Sequence, residues 1–173
     1  MNKNYIDVTD EWLRDATPNS HKIEEQLYYE HGGVKYEVDG KKVVLDYSKK
    51  EREVAEWLEN TFGGEIKMIP RVNYPEGIKT PDYIFRGIRF DLKEINGSSV
   101  RTIDDSVKSN REQATNFILE LNNSENLSDM LNNIEKIYSS PQRSWINIVI
   151  VKSNNNVIKI YNRKRSIPQP KAR

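Results

Sequence analysis

Residues 80–95 constrain the fold of this chain more than any other stretch. Their sequence is TPDYIFRGIRFDLKEI, in which apolar and polar residues alternate on both sides of Arg86-Gly87. Side chains of a strand point alternately to its two faces, so this pattern predicts a β-hairpin with a two-residue turn. The predicted cross-strand pairs are, from the turn outward, Phe85 with Ile88, Ile84 with Arg89, Tyr83 with Phe90, and Asp82 with Asp91.

The two faces of this predicted hairpin differ in character. One face is apolar and suits a core, and the other carries Asp82, Asp91 and Lys93. Directly opposed residues lie about 5 Å apart at Cβ, so two carboxylates placed there repel each other. A divalent cation between them would offset the repulsion, because Mg²⁺ takes one or two carboxylates together with waters and substrate phosphate. The apolar face consists of Tyr83, Phe85, Ile88, Phe90 and Leu92.

Composition narrows the class of protein. The 173 residues suffice for one domain with a core, or for one domain with an appendage. No apolar run approaches the roughly 20 residues of a membrane span, and the first residues start no signal peptide. The absence of cysteine excludes disulfides, thiolate metal sites and thiol catalysis. It fits action in a reducing cytoplasm, and equally a protein that unfolds to cross a membrane. The net charge of +1 is not the strongly basic footprint of many nucleic-acid binders.

Turn and capping signals give the expected order of elements. Ser48 and Glu51 form a capping box, and Gly63-Gly64 ends the helix that follows. We expect an extension with a hairpin over residues 1–46, a main domain over 47–162, and a basic, disordered tail over 163–173. The other predicted elements are one or two short helices before residue 30, a hairpin over 34–46 around Asp39-Gly40, a strand over 65–69, helices over 103–121 and 127–138, and strands over 145–151 and 157–161.

The predicted order and two short motifs resemble one superfamily of nucleases. Pro81-Asp82 enters the second strand of the main domain, and Asp91-Leu92-Lys93 lies in the third. This arrangement resembles the PD-(D/E)XK superfamily. The resemblance implies an α/β (α+β) fold with a restriction-endonuclease-like core, in which helices flank a mixed central sheet, here with an N-terminal β-hairpin extension.

A closer resemblance covers most of the chain. Residues 43–55, 69–72, 80–83, 91–95 and 113–117 resemble the tRNA-nuclease-like domains at the C-termini of contact-dependent growth inhibition toxins. Similar domains occur at the ends of phage and mobile-element proteins. The resemblance implies cleavage of RNA, with tRNA as the expected substrate, inside the cytoplasm of a target cell. It also implies delivery as the end of a larger secreted toxin, and a cognate immunity protein as partner.

The resemblance also implies roles for particular residues. Asp82 and Asp91 would bind Mg²⁺, or another hard divalent cation such as Mn²⁺, and the backbone carbonyl of Leu92 would be a further ligand. Lys93 would position the attacking water. Alternatively, Lys93 forms a salt bridge to Asp91, and the two aspartates are acids near the turn that pair with Lys or Arg. Glu53, on the helix after Ser48, would touch the metal directly or through water; alternatively it is a solvated first-turn acid that favours the helix dipole.

Three residues further along the chain complete the predicted site. The amide of Gln113 could contact the phosphate or the water, or it could simply pack at a helix edge. Lys108 and Arg111 are three residues apart on a predicted helix, so they share a stripe that could grip backbone phosphates or merely face solvent.

Two other functions stay open from the sequence. The same fold could act as a DNA endonuclease, since the superfamily includes many of these. The chain could also be a non-catalytic module that binds nucleic acid or protein on this scaffold, although the intact Asp82, Asp91 and Lys93 argue against that interpretation.

Overall fold

The computed structural model of the chain describes residues 5–97, 99–108, 114–122 and 126–163. Contacts divide the chain into two compact units, and the division falls inside one strand, between Asp91 and Leu92. We call Asp15–Asp91 with Ala114 the hairpin unit. The terminal unit holds the described residues of Met1–Arg14, Leu92–Arg111 and Thr115–Lys171. The described residues form four α-helices and twelve strands with mostly antiparallel pairing, which confirms the predicted mixture of helix and sheet.

The helix of the hairpin unit, α2, spans Lys49–Thr61. The predicted capping box is confirmed, because the Ser48 side chain accepts from the Glu51 N–H and the Glu51 side chain accepts from the Ser48 N–H. As predicted, the helix ends just before Gly63, which has a φ of +73°. The guanidinium of Arg86 donates to the carbonyls of Phe62 and Gly63 and so satisfies the end of the helix.

The central strands of the hairpin unit confirm the predicted register. They are β6 (Ile66–Met68), β8 (Tyr83–Phe85) and the first half of β9 (Ile88–Ile95). Strand β8 pairs antiparallel with β9 through Tyr83 with Phe90, Ile84 with Arg89, and Phe85 with Ile88. Arg86 and Gly87 both have positive φ, 53° and 79°, as a type I′ turn requires. Strand β2 (Ile23–Glu25) lies parallel to the other edge of β6.

The hairpin predicted over 34–46 is wrong. Strand β4 (Val34–Glu37) pairs instead with β3 (Tyr28–His31), and β5 (Val43–Val44) pairs with β7 (Arg71–Val72). The Asp39 carboxylate accepts hydrogen bonds from the N–H groups of residues 41 to 43, so its turn redirects the chain instead of closing a hairpin. A buried cluster, here the small-sheet cluster, joins these strands: Tyr29, Val43, Ile69 and Val72, with Ile84 packed against it.

The terminal unit contains a second group of strands. Their order is β1 (Tyr5–Asp7), β12 (Asn156–Arg163), β11 (Ile148–Ser153), β10 (Asn116–Leu121) and the second half of β9. Strands β10 and β11 are parallel, and β12 runs antiparallel to both β11 and β1. Helices α3 (Val100–Lys108) and α4 (Leu127–Ser139) cover one face through Ile103, Val107, Met130 and Ile134.

The long helix predicted over 103–121 is wrong, because residues 116–121 form strand β10. All six residues of β10 are buried, and its apolar positions happen to fit helical spacing as well as a strand. Its one charged residue, Glu120, is buried because its carboxylate is paired with the ammonium of Lys152 on the neighbouring strand β11, at 2.5 Å. A charge compensated in this way is invisible to a hydropathy pattern.

The remaining predictions near the termini have mixed outcomes. The helix over 127–138 and the strands over 65–69 and 157–161 are confirmed as α4, β6 and β12, and α1 (Thr9–Arg14) is a predicted short helix. The strand expected from 145 begins at 148. Arg163, the first residue of the predicted tail, is buried in β12 and donates to three backbone carbonyls. Residues 164–173 lie outside the described residues. Among the described residues, no helix is both long and apolar enough to cross a membrane. The division into 1–46, 47–162 and 163–173 stays a prediction.

Candidate active site

The open end of the β8–β9 hairpin brings the two predicted aspartates to corresponding positions. The ladder ends with the pair Tyr83 and Phe90, and the next residue outward is Asp82 on one strand and Asp91 on the other. The carbonyl of Asp82 accepts from the N–H of Ile69 at 3.3 Å, so the backbone at this position is held in place. Alternation along β9 puts the side chain of Asp91 on the face that also carries Arg89, and Asp82 directly precedes β8.

Burial distinguishes the two acids. Asp91 is only 3% exposed, whereas Asp82 is half-buried. Ionised carboxylates are seldom fully buried unless they are paired, hydrogen-bonded or bound to a metal. The burial of Asp91 is therefore compatible with a paired, a hydrogen-bonded or a metal-bound carboxylate.

The hydroxyl of Tyr83 connects the open end of the hairpin to helix α2. It donates a 2.6 Å hydrogen bond to the backbone carbonyl of Glu51, in the first turn of α2. Burial, and then the negative charges of Asp82, Glu51 and Asp91, hold the pKa of this hydroxyl well above its ordinary value. The hydrogen bond places the first turn of α2 against Tyr83, the residue that follows Asp82.

Tyr83 itself was predicted only as a core residue. Its burial is confirmed, since the residue has no exposed surface. The sequence reasoning missed its link to α2, for which the only signal was a tyrosine on an otherwise apolar face. A phenylalanine there would fill the same space without the hydroxyl.

Strand β9 continues from Asp91 through Leu92 to Lys93, and both of these residues are half-buried. Because side chains alternate along a strand, Lys93 shares a face of β9 with Asp91, and Leu92 points to the other. Glu94 also points away from the face of Asp91 and is exposed.

The third predicted acid, Glu53, is not brought into a carboxylate cluster. Its side chain on α2 is 52% exposed and lies 3.9 Å from the ammonium of Lys49. Within the ranges that the structure describes, no group of three or more His, Asp or Glu side chains is placed to hold a metal ion. Asp82 and Asp91 alone would supply the one or two carboxylates that Mg²⁺ takes alongside water and phosphate, and their role as ligands stays a prediction.

Of the three remaining predicted site residues, Lys108, Arg111 and Gln113, the structure describes only Lys108. Lys108 is exposed at the end of α3, and its charge contributes to lowering the pKa of Asp104 one turn earlier. Arg111 and Gln113 lie outside the described residues. Their roles stay predictions.

Comparison with known proteins gives one match. Residues 79–157, somewhat less than half of the chain, match the model of the family described as Contact-dependent growth inhibition CdiA C-terminal domain. The match starts just before the hairpin and includes Asp82, Asp91 and Lys93. Comparisons with curated proteins and with solved structures found no match. Over this range the chain is similar to a toxin domain of the contact-dependent growth inhibition type.

Proposed function

We propose that this chain is a toxin domain of the contact-dependent growth inhibition type that acts as a metal-dependent nuclease with a PD-(D/E)XK core. RNA is the proposed substrate class, and tRNA the expected member. The observation that carries the proposal is the hairpin register, with Asp82 and Asp91 at its open end and Lys93 following in β9, inside the range matched by the toxin family.

The proposed metal is Mg²⁺ or Mn²⁺. Asp82 and Asp91 would hold it through their carboxylates, with the carbonyl of Leu92 as a further ligand. Such an ion, when bound, lowers the pKa of a coordinated water and neutralises charge on the phosphate.

The chain's own side chains supply the rest of the proposed chemistry. The ammonium of Lys93 donates hydrogen bonds that orient the attacking water and stabilises negative charge developing on the phosphate. The burial of Asp91 keeps bulk water from screening these interactions. Glu53, whose side chain is 52% exposed, is proposed to touch the metal directly or through water. Lys108 and Arg111 are proposed phosphate contacts, and the amide of Gln113 is proposed to contact the phosphate or the attacking water.

The toxin-type match also supports two proposals about context. The domain would be delivered into target cells as the end of a larger secreted protein, and its site of action would be the cytoplasm. In the producing cell a cognate immunity protein would bind it and block cleavage.

The test is a cleavage assay on total tRNA, on other RNA and on plasmid DNA, each with Mg²⁺, with Mn²⁺ and with EDTA. We expect tRNA cleavage that EDTA abolishes. Asp91→Asn and Lys93→Ala should each lower the rate by at least about 100-fold, because each removes a charge that acts on the reacting groups. Glu94→Gln is the matched control, since Glu94 is the exposed next residue on the other face of β9.

The outcomes separate the candidate functions. Metal-dependent cleavage of plasmid alone would make the chain a DNA endonuclease. If Asp91→Asn changed neither metal binding nor cleavage, the catalytic proposal would be wrong. Growth adds a second measurement: expression of the wild type should arrest bacteria, whereas Lys93→Ala should not, and equal growth would contradict the toxin proposal.

A further inference from the structure

An exposed tyrosine lies in the loop between β7 and β8, in the hairpin unit. Tyr74 is 63% exposed, although its backbone is firmly held. The N–H groups of Asn73 and Tyr74 both donate to the carbonyl of Lys42, at 2.7 and 3.2 Å. The aromatic ring is thus presented to solvent from a fixed backbone, and no core packing accounts for it.

Two lysines accompany this ring. The ammonium of Lys42 lies 5.6 Å from the centroid of the Tyr74 ring, within cation–π range. Lys41 and Lys42 are both exposed. The Asp39 carboxylate fixes their backbone by accepting from both N–H groups, at 2.8 and 2.7 Å. We call Tyr74, Lys41 and Lys42 the tyrosine–lysine patch.

The patch belongs to the same unit as Asp82 and Asp91 and is connected to the hairpin through the small-sheet cluster. Val43 and Val72, which flank the patch in β5 and β7, are buried in the small-sheet cluster. Ile84, two residues after Asp82, packs against that same cluster. Tyr74 also precedes Asp82 by only eight residues, a length of chain that spans at most about 28 Å.

An exposed aromatic ring beside cations is the arrangement by which proteins hold single-stranded nucleic acid. A base stacks on the ring, and the cations meet the phosphates of the same strand. Bases within a duplex already stack on their neighbours, so only an unpaired base is free to occupy such a ring.

We propose that Tyr74 stacks on one unpaired base of the RNA substrate and that Lys41 and Lys42 contact phosphates of that strand. This inference rests on the proposed function and narrows it, because it requires the substrate to be single-stranded where it meets the patch. Tyr74 is then a substrate-binding residue, not a group that takes part in bond cleavage.

The binding test uses the full chain carrying Lys93→Ala, in EDTA, so that no RNA is cut. Fluorescence anisotropy measures Kd for a labelled 12-nucleotide single strand and for a blunt duplex of the same sequence. We expect the single strand to bind more tightly. Tyr74→Ala should raise its Kd by about 5- to 150-fold, the range that corresponds to loss of one stacked base. Tyr74→Phe retains the ring and should stay within about threefold of the parent.

Two further variants complete the design. Leu27→Ala is the matched control, since Leu27 is also 63% exposed in the same unit but offers no ring to stack on. It should leave Kd unchanged. Lys42→Gln should lower the slope of log K against log salt by about one, as expected for one lost phosphate contact. A strand carrying 5-iodouracil should cross-link under ultraviolet light to the peptide that contains Tyr74.

Failure of this inference is distinguishable from failure of the nuclease proposal. The inference is overturned if Tyr74→Ala binds like Leu27→Ala, if the duplex binds as tightly as the single strand, or if RNA does not bind in EDTA. Any of these results can accompany intact cleavage by the wild type, in which case only the patch is wrong. Conversely, Tyr74-dependent binding without cleavage would refute the nuclease and leave the binding site standing.

Discussion

Replacing Gly63 with alanine tests how the chain closes the end of α2. Gly63 has a φ of +73°, and a Cβ built there would lie 1.7 Å from the carbonyl oxygen of Thr17. That is half of the 3.4 Å at which ordinary contact begins, and the obstacle is backbone. The loop that contains Thr17 and Ser20 would therefore have to leave the helix end.

The cost can be worked out from the bonds that hold this loop. The Thr17 N–H donates to the Phe62 carbonyl at 2.7 Å, and the Gly64 N–H donates to the Ser20 hydroxyl at 3.0 Å. Each such bond contributes about 1 kcal/mol net, and left-handed backbone costs alanine about 1 kcal/mol more than glycine. We expect Gly63→Ala to lower the free energy of unfolding by about 3 kcal/mol.

The matched control is Gly77→Ala. Gly77 has a φ of +91°, but nothing lies within 4 Å of a Cβ built there, so only the backbone term of about 1 kcal/mol remains. Urea unfolding followed by circular dichroism, with both changes made in Lys93→Ala protein, should show a difference of about 2 kcal/mol between the variants. Equal losses would refute the docking of the Thr17 loop on the helix end.

Three further predictions concern the Asp104–Arg143 ion pair, the hydrogen bond of Tyr83 and the binding of Mg²⁺. The carboxylate of Asp104 accepts two hydrogen bonds from the Arg143 guanidinium, at 2.6 and 2.8 Å. These bonds and the positive charges of Arg143 and Lys108 outweigh the effect of burial, so the pKa of the Asp104 carboxyl lies below its ordinary value of 3.8. The ion pair therefore stabilises the fold above pH 3.8, and this stabilisation is lost as the pH falls through the lowered pKa of Asp104 in the folded state. Asp104→Asn should lower the free energy of unfolding by about 1 kcal/mol at pH 7 and by less at pH 3, as measured by urea unfolding. Tyr83→Phe should cost about 1 kcal/mol, because it removes the bond to the Glu51 carbonyl, and a cost near zero would contradict that bond. Mg²⁺ at 100 times its Kd should raise the stability of wild-type protein by about 2.7 kcal/mol, and Asp91→Asn should gain no more than it does from an equal ionic strength of NaCl.

The elements that the sequence predicts well are those whose signals are local. The register of β8 and β9 follows from alternation on both sides of Arg86-Gly87, and α2 follows from its capping box and its terminal glycines. The turn at Asp39-Gly40 led to a wrong prediction of a hairpin, because the strands beside it pair with strands elsewhere in the chain. Its carboxylate bonds to its own turn, and the partner strand of β5 is β7, more than 25 residues away in the chain. Local propensity contains no information about such a pairing.

The same distinction applies to the site. The spacing of Asp82, Asp91 and Lys93 is a property of two strands and a short turn, so the sequence predicts it directly. Whether Glu53 joins them depends on how α2 is rotated, and a helix face is resolved only coarsely from periodicity. The structure gives Glu53 an exposed side chain beside Lys49, while Glu51, two residues earlier, has its backbone carbonyl bonded to Tyr83.

The Pro-Asp pair at the start of β8 has a physical logic that links fold to chemistry. Pro81 has no N–H to donate, so a strand ladder cannot continue regularly through it, and β8 accordingly begins at Tyr83. The residue between the proline and the ladder, Asp82, therefore sits where the two strands stop pairing. At that position a carboxylate has the rigidity of the ladder on one side and access for water and phosphate on the other. Asp91 lies within the longer strand β9 and is the more buried of the two. The proposed ligand pair therefore rests on residues at the end of one hairpin, and the proposal does not require a third acid from α2.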